Sequence, residues 1–271
     1  MNVARLVVSL TVALMLTGCQ DMFVYHPVTE DESVLLEQAE SLGLEAWPES
    51  GEGRMGWRTA APDGAEHRVV VFHGNGGHAL HRDYLVRGFR SMDDGSHWEI
   101  YLLEYPGYGS RPGRPGEEAL VEAGMEAVGR LLDENAETPV YLVGESLGSG
   151  VATQVAARYG NAIPALLLIT PFTNLEDVGA ATFPRFLVRS LLRDRYDNEA
   201  ALESYEGRVG LLLAGRDQVV PADLGRRLYD GYDGPKRLWV QEEAGHNSLD
   251  YSPHSRWWEE MARFLTAGDG G

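Results

Sequence analysis

A serine stands between two glycines in the sequence GESLG at positions 144–148, a G-x-S-x-G pattern. The apolar residues 140–143 before it predict a short buried strand, and the alanine-rich residues 151–159 after it predict a helix. A tight turn between strand and helix strains the serine backbone and lifts its hydroxyl out of the sheet. The pattern therefore predicts Ser146 as a nucleophile.

A serine hydroxyl needs a base within hydrogen-bond reach and a further group that orients the base. In an open α/β sheet, reactive groups collect at the carboxyl ends of the strands. Asp217 follows a predicted strand at 209–214, and His246 follows a predicted strand at 236–241. The chain order of serine, aspartate and histidine is that of α/β enzymes with a G-x-S-x-G turn. We predict that His246 takes the Ser146 proton while Asp217 orients the imidazole.

Each of these two partners also has a plain structural interpretation. Asp217 could be a solvated turn residue, and His246 could be a loop residue that satisfies backbone groups. Asp177 and Asp223 are alternative acids in weaker contexts, because Asp177 follows an earlier strand and Asp223 is predicted to begin a helix. The presence of an aspartate and a histidine at successive strand ends favours the catalytic interpretation.

A tetrahedral intermediate requires backbone donors for its oxyanion. The amide of Leu147 is the first predicted donor, because it lies at the start of the helix that follows the serine. The amide of Asn75 is the second, because the glycines of HGNGG at 73–77 let the backbone approach a substrate closely.

Histidines near this glycine-rich loop could indicate a metal cluster. The spacing of His73, His78 and His81 and the lack of nearby carboxylates favour loop structure, with His73 fixing the shape of the loop. Tyr108 is a candidate for the border of the pocket, with a core or surface position as the plain alternative.

The elements around these residues alternate between strand and helix. Strands are predicted at 68–72, 98–103, 140–143, 165–169, 209–214 and 236–241, and helices at 80–92, 117–134, 151–159 and 257–265. This alternation indicates an α/β fold with a parallel, doubly wound sheet and crossovers on both faces. Before it, we predict a short surface helix at 32–42 and an early edge strand at 55–60.

Residues 172–205 interrupt the alternation and include the apolar side chains Phe183, Phe186, Leu187 and Val188. An insertion above the carboxyl edge of the sheet is the position of a lid or substrate cap. We therefore predict a small helical lid, with ordinary helix packing as the compatible alternative. Its apolar residues are a weak indication of an apolar acyl group.

Residues 1–18 combine a basic start with an apolar stretch at 6–16 that is short for a membrane span and typical of a secretory signal. The sequence LTGC at 16–19 resembles the lipobox of bacterial lipoproteins. That resemblance implies cleavage before Cys19, the only cysteine, and its lipidation, and several acyl chains anchor stably. An uncleaved anchor or an ordinary secretory signal is the alternative. Gln20 at the following position favours the outer membrane, facing the periplasm.

The chain has 271 residues and a formal net charge of −18. This acidity argues against nucleic acid, or an anionic lipid face, as a partner attracted by charge. One α/β domain of this length is ordinary. We expect a signal peptide at 1–18, a lipidated tether and N-terminal extension at 19–64, and an enzymatic domain at 65–271.

Over roughly residues 68–265 the chain resembles the α/β-hydrolase superfamily, in the serine-hydrolase branch that includes BEM46-like and serine-aminopeptidase-like proteins. The resemblance rests on HGNGG (73–77), YPGYG (105–109), GESLG (144–148), LRDRYD (192–197), GRD (215–217) and GHN (245–247). It implies a mostly parallel eight-stranded sheet, a Ser/His/Asp triad, and no metal or organic cofactor.

These observations predict a membrane-tethered serine hydrolase that cleaves carboxylic esters through an acyl-serine intermediate. Its expected partners are a small-molecule ester or acyl substrate and the membrane that holds Cys19. The same triad could serve a thioesterase, a peptidase or an acyltransferase. The alternative from a different class is a non-catalytic envelope lipoprotein that acts as a binding module.

Overall fold

The structure, a computed structural model, describes residues 24–48, 53–60, 64–92 and 98–267. The predicted signal peptide and Cys19 lie outside the described residues, so their assignment stays a prediction. Within those four ranges, no helix combines the length and the apolarity that a membrane crossing requires.

A mostly parallel sheet of eight strands forms the centre of the fold. The described strands are β1 (His26–Pro27), β2 (Leu44–Trp47), β3 (Gly56–Thr59), β4 (His67–Phe72), β5 (Gly76–Gly77), β6 (Trp98–Leu103), β7 (Val140–Glu145), β8 (Ala165–Ile169), β9 (Arg208–Ala214) and β10 (Lys236–Gln241). The main sheet has the order β10-β9-β8-β7-β4-β6-β3-β2, and β1 pairs separately with β5. Among the described strands of this sheet, β3 pairs antiparallel with β2 and with β6, and every other pair is parallel. This sheet confirms the predicted fold class.

Helices cover both faces of the sheet. In the described residues they are α1 (Glu32–Ser41), α2 (Asp83–Arg90), α3 (Glu117–Glu134), α4 (Leu147–Tyr159), α5 (Leu175–Ala180), α6 (Arg185–Leu191), α7 (Asn198–Glu203), α8 (Ala222–Gly231) and α9 (Trp257–Leu265). Strand β4 shows why two layers are needed, because successive side chains of a strand point to opposite faces. Its Val70 and Phe72 enter one apolar core, while Val69 and Val71 enter the other.

The main differences from the sequence prediction concern three elements. The predicted edge strand at 55–60 is β3, which lies second from the edge because β2 pairs outside it, Leu44 opposite Thr59. The predicted helix at 80–92 is a 3₁₀ turn, Ala79–Arg82, followed by α2. The helix after the serine begins at Leu147, four residues before the predicted start. The sheet also extends into the predicted N-terminal extension, which supplies β2 and β3.

The lid segment, residues 172–205, contains the three short helices α5, α6 and α7. Its C-terminal part is fastened by the carboxylate of Glu117 at the start of α3. That carboxylate accepts hydrogen bonds from the backbone amides of Arg195 (2.6 Å) and Tyr196 (2.9 Å) and from Gln154 Nε2 (2.8 Å). The hydroxyl of Tyr25 donates to the Asp194 carboxylate, so the N-terminal segment is fastened to the same point.

Candidate active site

Ser146 occupies the sharp turn between β7 and α4. Its φ of 51° lies in the left-handed region, which non-glycine residues rarely adopt. The backbone amide of Ser146 donates a 2.8 Å hydrogen bond to the carbonyl of Ile169 on the neighbouring strand. A Cβ on Gly148 would collide with the carbonyl oxygen of Phe72, and one on Gly144 would lie 2.6 Å from the Cα of Ser149. Only glycine at these two positions allows the backbone to close this turn.

The structure brings Ser146, His246 and Asp217 into one hydrogen-bonded line. Nε2 of His246 lies 3.1 Å from Ser146 Oγ, and its Nδ1 lies 2.7 Å from Asp217 Oδ2. The Asp217 side chain is 1% exposed and that of His246 is 12% exposed. The other oxygen of Asp217 accepts 2.8 Å hydrogen bonds from the amides of Val219 and Val220, which fix its orientation. The arrangement can move a proton from the serine hydroxyl to the imidazole.

Asp177, one of the alternative acids, holds the lid together instead. It accepts hydrogen bonds from Thr173 Oγ1 and from Arg185 Nη2, both at 2.6 Å, and pairs with Arg227 at 3.2 Å. Burial opposes its ionisation, but these hydrogen bonds and charges outweigh burial and lower the pKa of Asp177. Asp223, the other alternative, lies in the first turn of α8.

The loop at 73–77 lies beside Ser146. A Cβ on Gly74 would be 3.5 Å from the Ser146 Cβ, and Asn75 and Leu147 both line the cavity that contains Ser146. The Asn75 carbonyl accepts from Tyr108 Oη (2.9 Å) and from the amide of His26 (3.1 Å). The carbonyl of Asn75 is therefore held in place from two sides.

The histidines near this loop pack as parts of it. Nδ1 of buried His73 lies 2.7 Å from the carbonyl of Gly74, and its Nε2 lies 3.4 Å from Glu104. The rings of His78 and His81 lie against each other with centroids 3.7 Å apart and planes tilted by 33°. Among the residues that the structure describes, no group of three or more His, Cys, Asp or Glu side chains is arranged as a metal site.

Two cavities meet at Ser146. The first has a volume of about 450 Å³ and is apolar, with walls from α5, α6 and the segment that joins them. The second, of about 700 Å³, is lined by polar groups that include Arg82, Glu145 and His246. Ser146, Asn75 and Val219 line both. A substrate can therefore place an apolar group on one side of the nucleophile and a polar group on the other.

Glu145, the residue before the nucleophile, is a member of the site that sequence reasoning missed. Its carboxylate accepts a 2.8 Å hydrogen bond from Arg82 Nε and another from the hydroxyl of Tyr84. Burial opposes its ionisation, but the charge of Arg82 and the two hydrogen bonds outweigh burial and lower the pKa of Glu145. Arg82 also donates to the Gly76 carbonyl at 2.9 Å, and so connects the serine turn to the glycine-rich loop. The only sequence signal was the acidic residue inside the G-x-S-x-G pattern.

The sequence is similar to known hydrolases. The family model described as "alpha/beta hydrolase fold" matches residues 67–201. The chain is 34% identical over 200 residues to an uncharacterised protein of Mycobacterium tuberculosis, a match that covers 73% of this chain and 69% of that protein. It is 27% identical to the lysophosphatidylserine lipase ABHD12 of Danio rerio, covering 72% and 57% of the two chains. It is 26% identical to the protein bem46 of Schizosaccharomyces pombe, covering 56% and 52%.

Solved structures of other proteins have the same fold as this chain. An esterase of Pyrococcus furiosus superposes with a TM-score of 0.66 over 91% of this chain and 99% of its own, at 16% identity. A likeness at this identity concerns the fold alone. The family match, the relatives and the fold agree: the chain belongs to the α/β-hydrolase superfamily, is BEM46-like and is a hydrolase.

Proposed function

We propose that this hydrolase cleaves carboxylic esters through an acyl-serine intermediate, tethered to a membrane by Cys19. One observation carries the proposal: Ser146 Oγ lies 3.1 Å from His246 Nε2 at the point where an apolar and a polar cavity meet. A hydroxyl paired with an imidazole is the arrangement that acyl transfer needs.

The reaction begins when His246 Nε2 takes the Ser146 proton as Oγ attacks the ester carbonyl carbon. The developing oxyanion accepts hydrogen bonds from the amides of Asn75 and Leu147. Asp217 holds the imidazole and stabilises its positive charge. The intermediate then collapses, the alcohol leaves with the proton from His246, and the acyl group remains on Ser146. His246 next deprotonates a water molecule that attacks the acyl carbon. The second intermediate then collapses, the bond from the acyl carbon to Ser146 Oγ breaks, and His246 returns the proton to Oγ as the acid leaves.

The two cavities indicate the kind of ester. The apolar cavity fits an acyl chain, and the polar cavity fits a polar alcohol as the leaving group. ABHD12, a relative, is named as a lipase of lysophosphatidylserine, itself an ester with one acyl chain and a polar part. We propose single-chain acyl esters of polar alcohols as substrates. Nothing in the two cavities favours a thioester or an amide over an oxygen ester.

The membrane tether rests on the sequence LTGC at 16–19. We propose that Cys19 is lipidated and holds the enzyme in a bacterial envelope, with the outer membrane facing the periplasm favoured. The mass of the mature N-terminal peptide tests this point, since cleavage before Cys19 with acylation gives a mass that an uncleaved chain does not have.

The first experiment treats the full-length protein with a fluorophosphonate probe and locates the adduct by mass spectrometry. We expect labelling at Ser146 that is abolished in both Ser146→Ala and His246→Ala. Labelling that persists in either variant would contradict the assignment. Folded wild-type protein that stays unlabelled would favour the non-catalytic binding module. Hydrolysis of matched p-nitrophenyl ester, thioester and anilide substrates then separates esterase from thioesterase and peptidase activity.

A further inference from the structure

The lid presents an unusually apolar surface to solvent. We define the lid face as the exposed side chains of Phe183, Phe186, Leu187 and Leu191. Phe183 and Phe186 are 59% and 70% exposed. Phe183, Leu187 and Leu191 also line the apolar cavity, but Phe186 does not, so an acyl-binding role leaves its exposure unexplained. A cluster of exposed aromatic and aliphatic side chains indicates an interaction surface.

Residues 178–193 are basic, unlike the chain as a whole, whose net charge is −18. They contain Arg185, Arg189 and Arg193 but no aspartate or glutamate. Arg185 pairs with Glu176 and Asp177 just before this stretch, so the basic character comes from Arg189 and Arg193. The net charge alone predicts repulsion from anionic lipid, but a bilayer senses charges within about a Debye length of its surface, roughly 8–10 Å. Arginine beside exposed phenylalanine and leucine is the composition of segments that lie in a membrane interface.

The N-terminal segment approaches the cavity on the same side. Val24 lines the apolar cavity together with the lid residues, and its carbonyl accepts a 3.0 Å hydrogen bond from Asn75 Nδ2. The next residue, Tyr25, is bonded to Asp194 and lies 3.1 Å from the Tyr196 hydroxyl at the end of the lid. Only residues 20–23 separate Cys19 from Val24, so the chain between them spans at most roughly 18 Å. A lipid on Cys19 therefore holds the lid close to the bilayer.

We propose that the lid face docks on an anionic lipid bilayer, with the phenylalanines in the interface and the arginines at the headgroups. Docking places the mouth of the apolar cavity against the acyl chains of the bilayer, so the acyl chain of a substrate can enter the cavity without crossing water. The proposal rests on the acyl-ester function and on the anchor at Cys19.

A second copy of the chain is the competing occupant. In a symmetric dimer the same patch faces itself, so the arginines beside one lid face would meet those beside the other. Like charges at such an interface are unfavourable, whereas an anionic bilayer neutralises them. The charge pattern therefore favours lipid over self-association.

The test uses the full-length protein in vesicles of phosphatidylcholine and phosphatidylglycerol whose acyl chains carry bromine, a quencher of tryptophan fluorescence. The variant Phe186→Trp places a reporter in the lid face. The matched control, Glu137→Trp, places one on an exposed residue before β7, at the opposite edge of the sheet from Ser146. We expect the quenched fraction of Phe186→Trp to exceed that of wild type, and that of Glu137→Trp to equal it.

Equal quenching in the two variants would overturn the proposal. A concentration-dependent dimer that protects the lid-face reporter from added iodide in the absence of lipid would overturn it as well. Adding Arg189→Glu to Phe186→Trp should reduce quenching when phosphatidylglycerol is present but not in phosphatidylcholine alone. The readout needs no turnover, so a protein that docks without hydrolysing esters would refute the proposed function and leave the docking intact.

Discussion

The hydroxyl of Tyr108 donates a 2.9 Å hydrogen bond to the carbonyl oxygen of Asn75, whose amide is the second predicted oxyanion donor. The amide and the carbonyl of Asn75 belong to the two planar peptide groups that meet at its Cα, so a bond that holds the carbonyl limits the backbone rotations that orient the amide. Tyr108 is fully buried and is not among the residues that line the two cavities, so we predict that it positions the Asn75 amide without contacting substrate. The sequence interpretation left open whether Tyr108 lies at the pocket border, in the core or at the surface, and the structure places it in the core.

The variant Tyr108→Phe should lower kcat by roughly tenfold with little change in KM, because only stabilisation of the transition state is weakened. Tyr205→Phe is the matched control, since buried Tyr205 donates a 2.8 Å bond to the Ile163 carbonyl, a backbone group outside the site. Both variants should lose about 1 kcal/mol in free energy of unfolding. Equal kcat in the two variants would refute the positioning role.

Asp217→Asn should lower kcat by about 10³- to 10⁴-fold, because an amide no longer favours the required imidazole tautomer. Asp177→Asn should leave kcat nearly unchanged but lower the free energy of unfolding by about 1–3 kcal/mol, because the buried side chain loses its charge-assisted bonds to Arg185 and Arg227. Steady-state kinetics and urea unfolding of both variants check this contrast. A larger loss of kcat in Asp177→Asn than in Asp217→Asn would identify Asp177, instead of Asp217, as the acid that orients His246.

Arg82→Met should destabilise the protein by about 3–5 kcal/mol, because the buried Glu145 carboxylate loses its opposite charge. Adding Glu145→Gln should recover part of that loss, since an amide does not have to be ionised. Urea unfolding of wild type, both single variants and the double variant gives the coupling energy. Additive losses would show that the pair is not coupled.

Val178→Phe adds bulk to the wall of the apolar cavity. We expect the ratio of kcat/KM for p-nitrophenyl laurate to that for p-nitrophenyl butyrate to fall on the order of tenfold. Each methylene of the longer chain that no longer fits in the cavity loses about 0.8 kcal/mol of binding free energy. Val34→Phe, at an exposed position on α1, adds the same bulk outside the cavity and should leave the ratio unchanged. An unaltered ratio in Val178→Phe would show that the acyl group binds outside this cavity.

Burial, with a smaller effect of the neighbouring His81, lowers the pKa of His78 to about 4. The unfolded chain, with a pKa near 6.5, then binds more protons than the folded one between those values, so stability falls as pH decreases from about 6.5 to 4. We expect His78 to account for a loss of about 3 kcal/mol at the acid end of that window. Urea unfolding at pH 7 and pH 4.5 should show a smaller loss of stability with acid in His78→Leu than in wild type. An equal loss in the two proteins would exclude His78 as its source.

Local patterns predicted most of the sheet and the grouping of three site residues. Strands β6, β8 and β10 have the predicted bounds because each is an apolar or β-branched run that a turn or a helix follows. Asp217 and His246 could be predicted because parallel topology brings successive strand ends together. These inferences needed only short stretches of sequence.

Long-range pairing explains what could not be predicted. Strand β2 has four residues without a strand-like alternation, and only its pairing with β3 defines it. Arg82 and Glu145 meet across 63 positions of sequence, with no local pattern that links them. The early start of α4 was missed because GSG at 148–150 resembles a turn, whereas a Cβ on Gly150 would lie 2.7 Å from the Tyr196 ring, so close packing selects glycine inside the helix.

Pairing of β1 with the glycine-rich loop limits where a protease could release this enzyme from the anchor that we propose at Cys19. A cut within residues 20–23 would free a domain that keeps Val24, Tyr25 and the bonds they make to Asn75 and Asp194. A cut beyond His26 would also detach the amide that holds the Asn75 carbonyl, together with one wall of the apolar cavity. Shedding with retained activity is therefore restricted to a few peptide bonds, and cleavage farther along would release and inactivate the enzyme in one event.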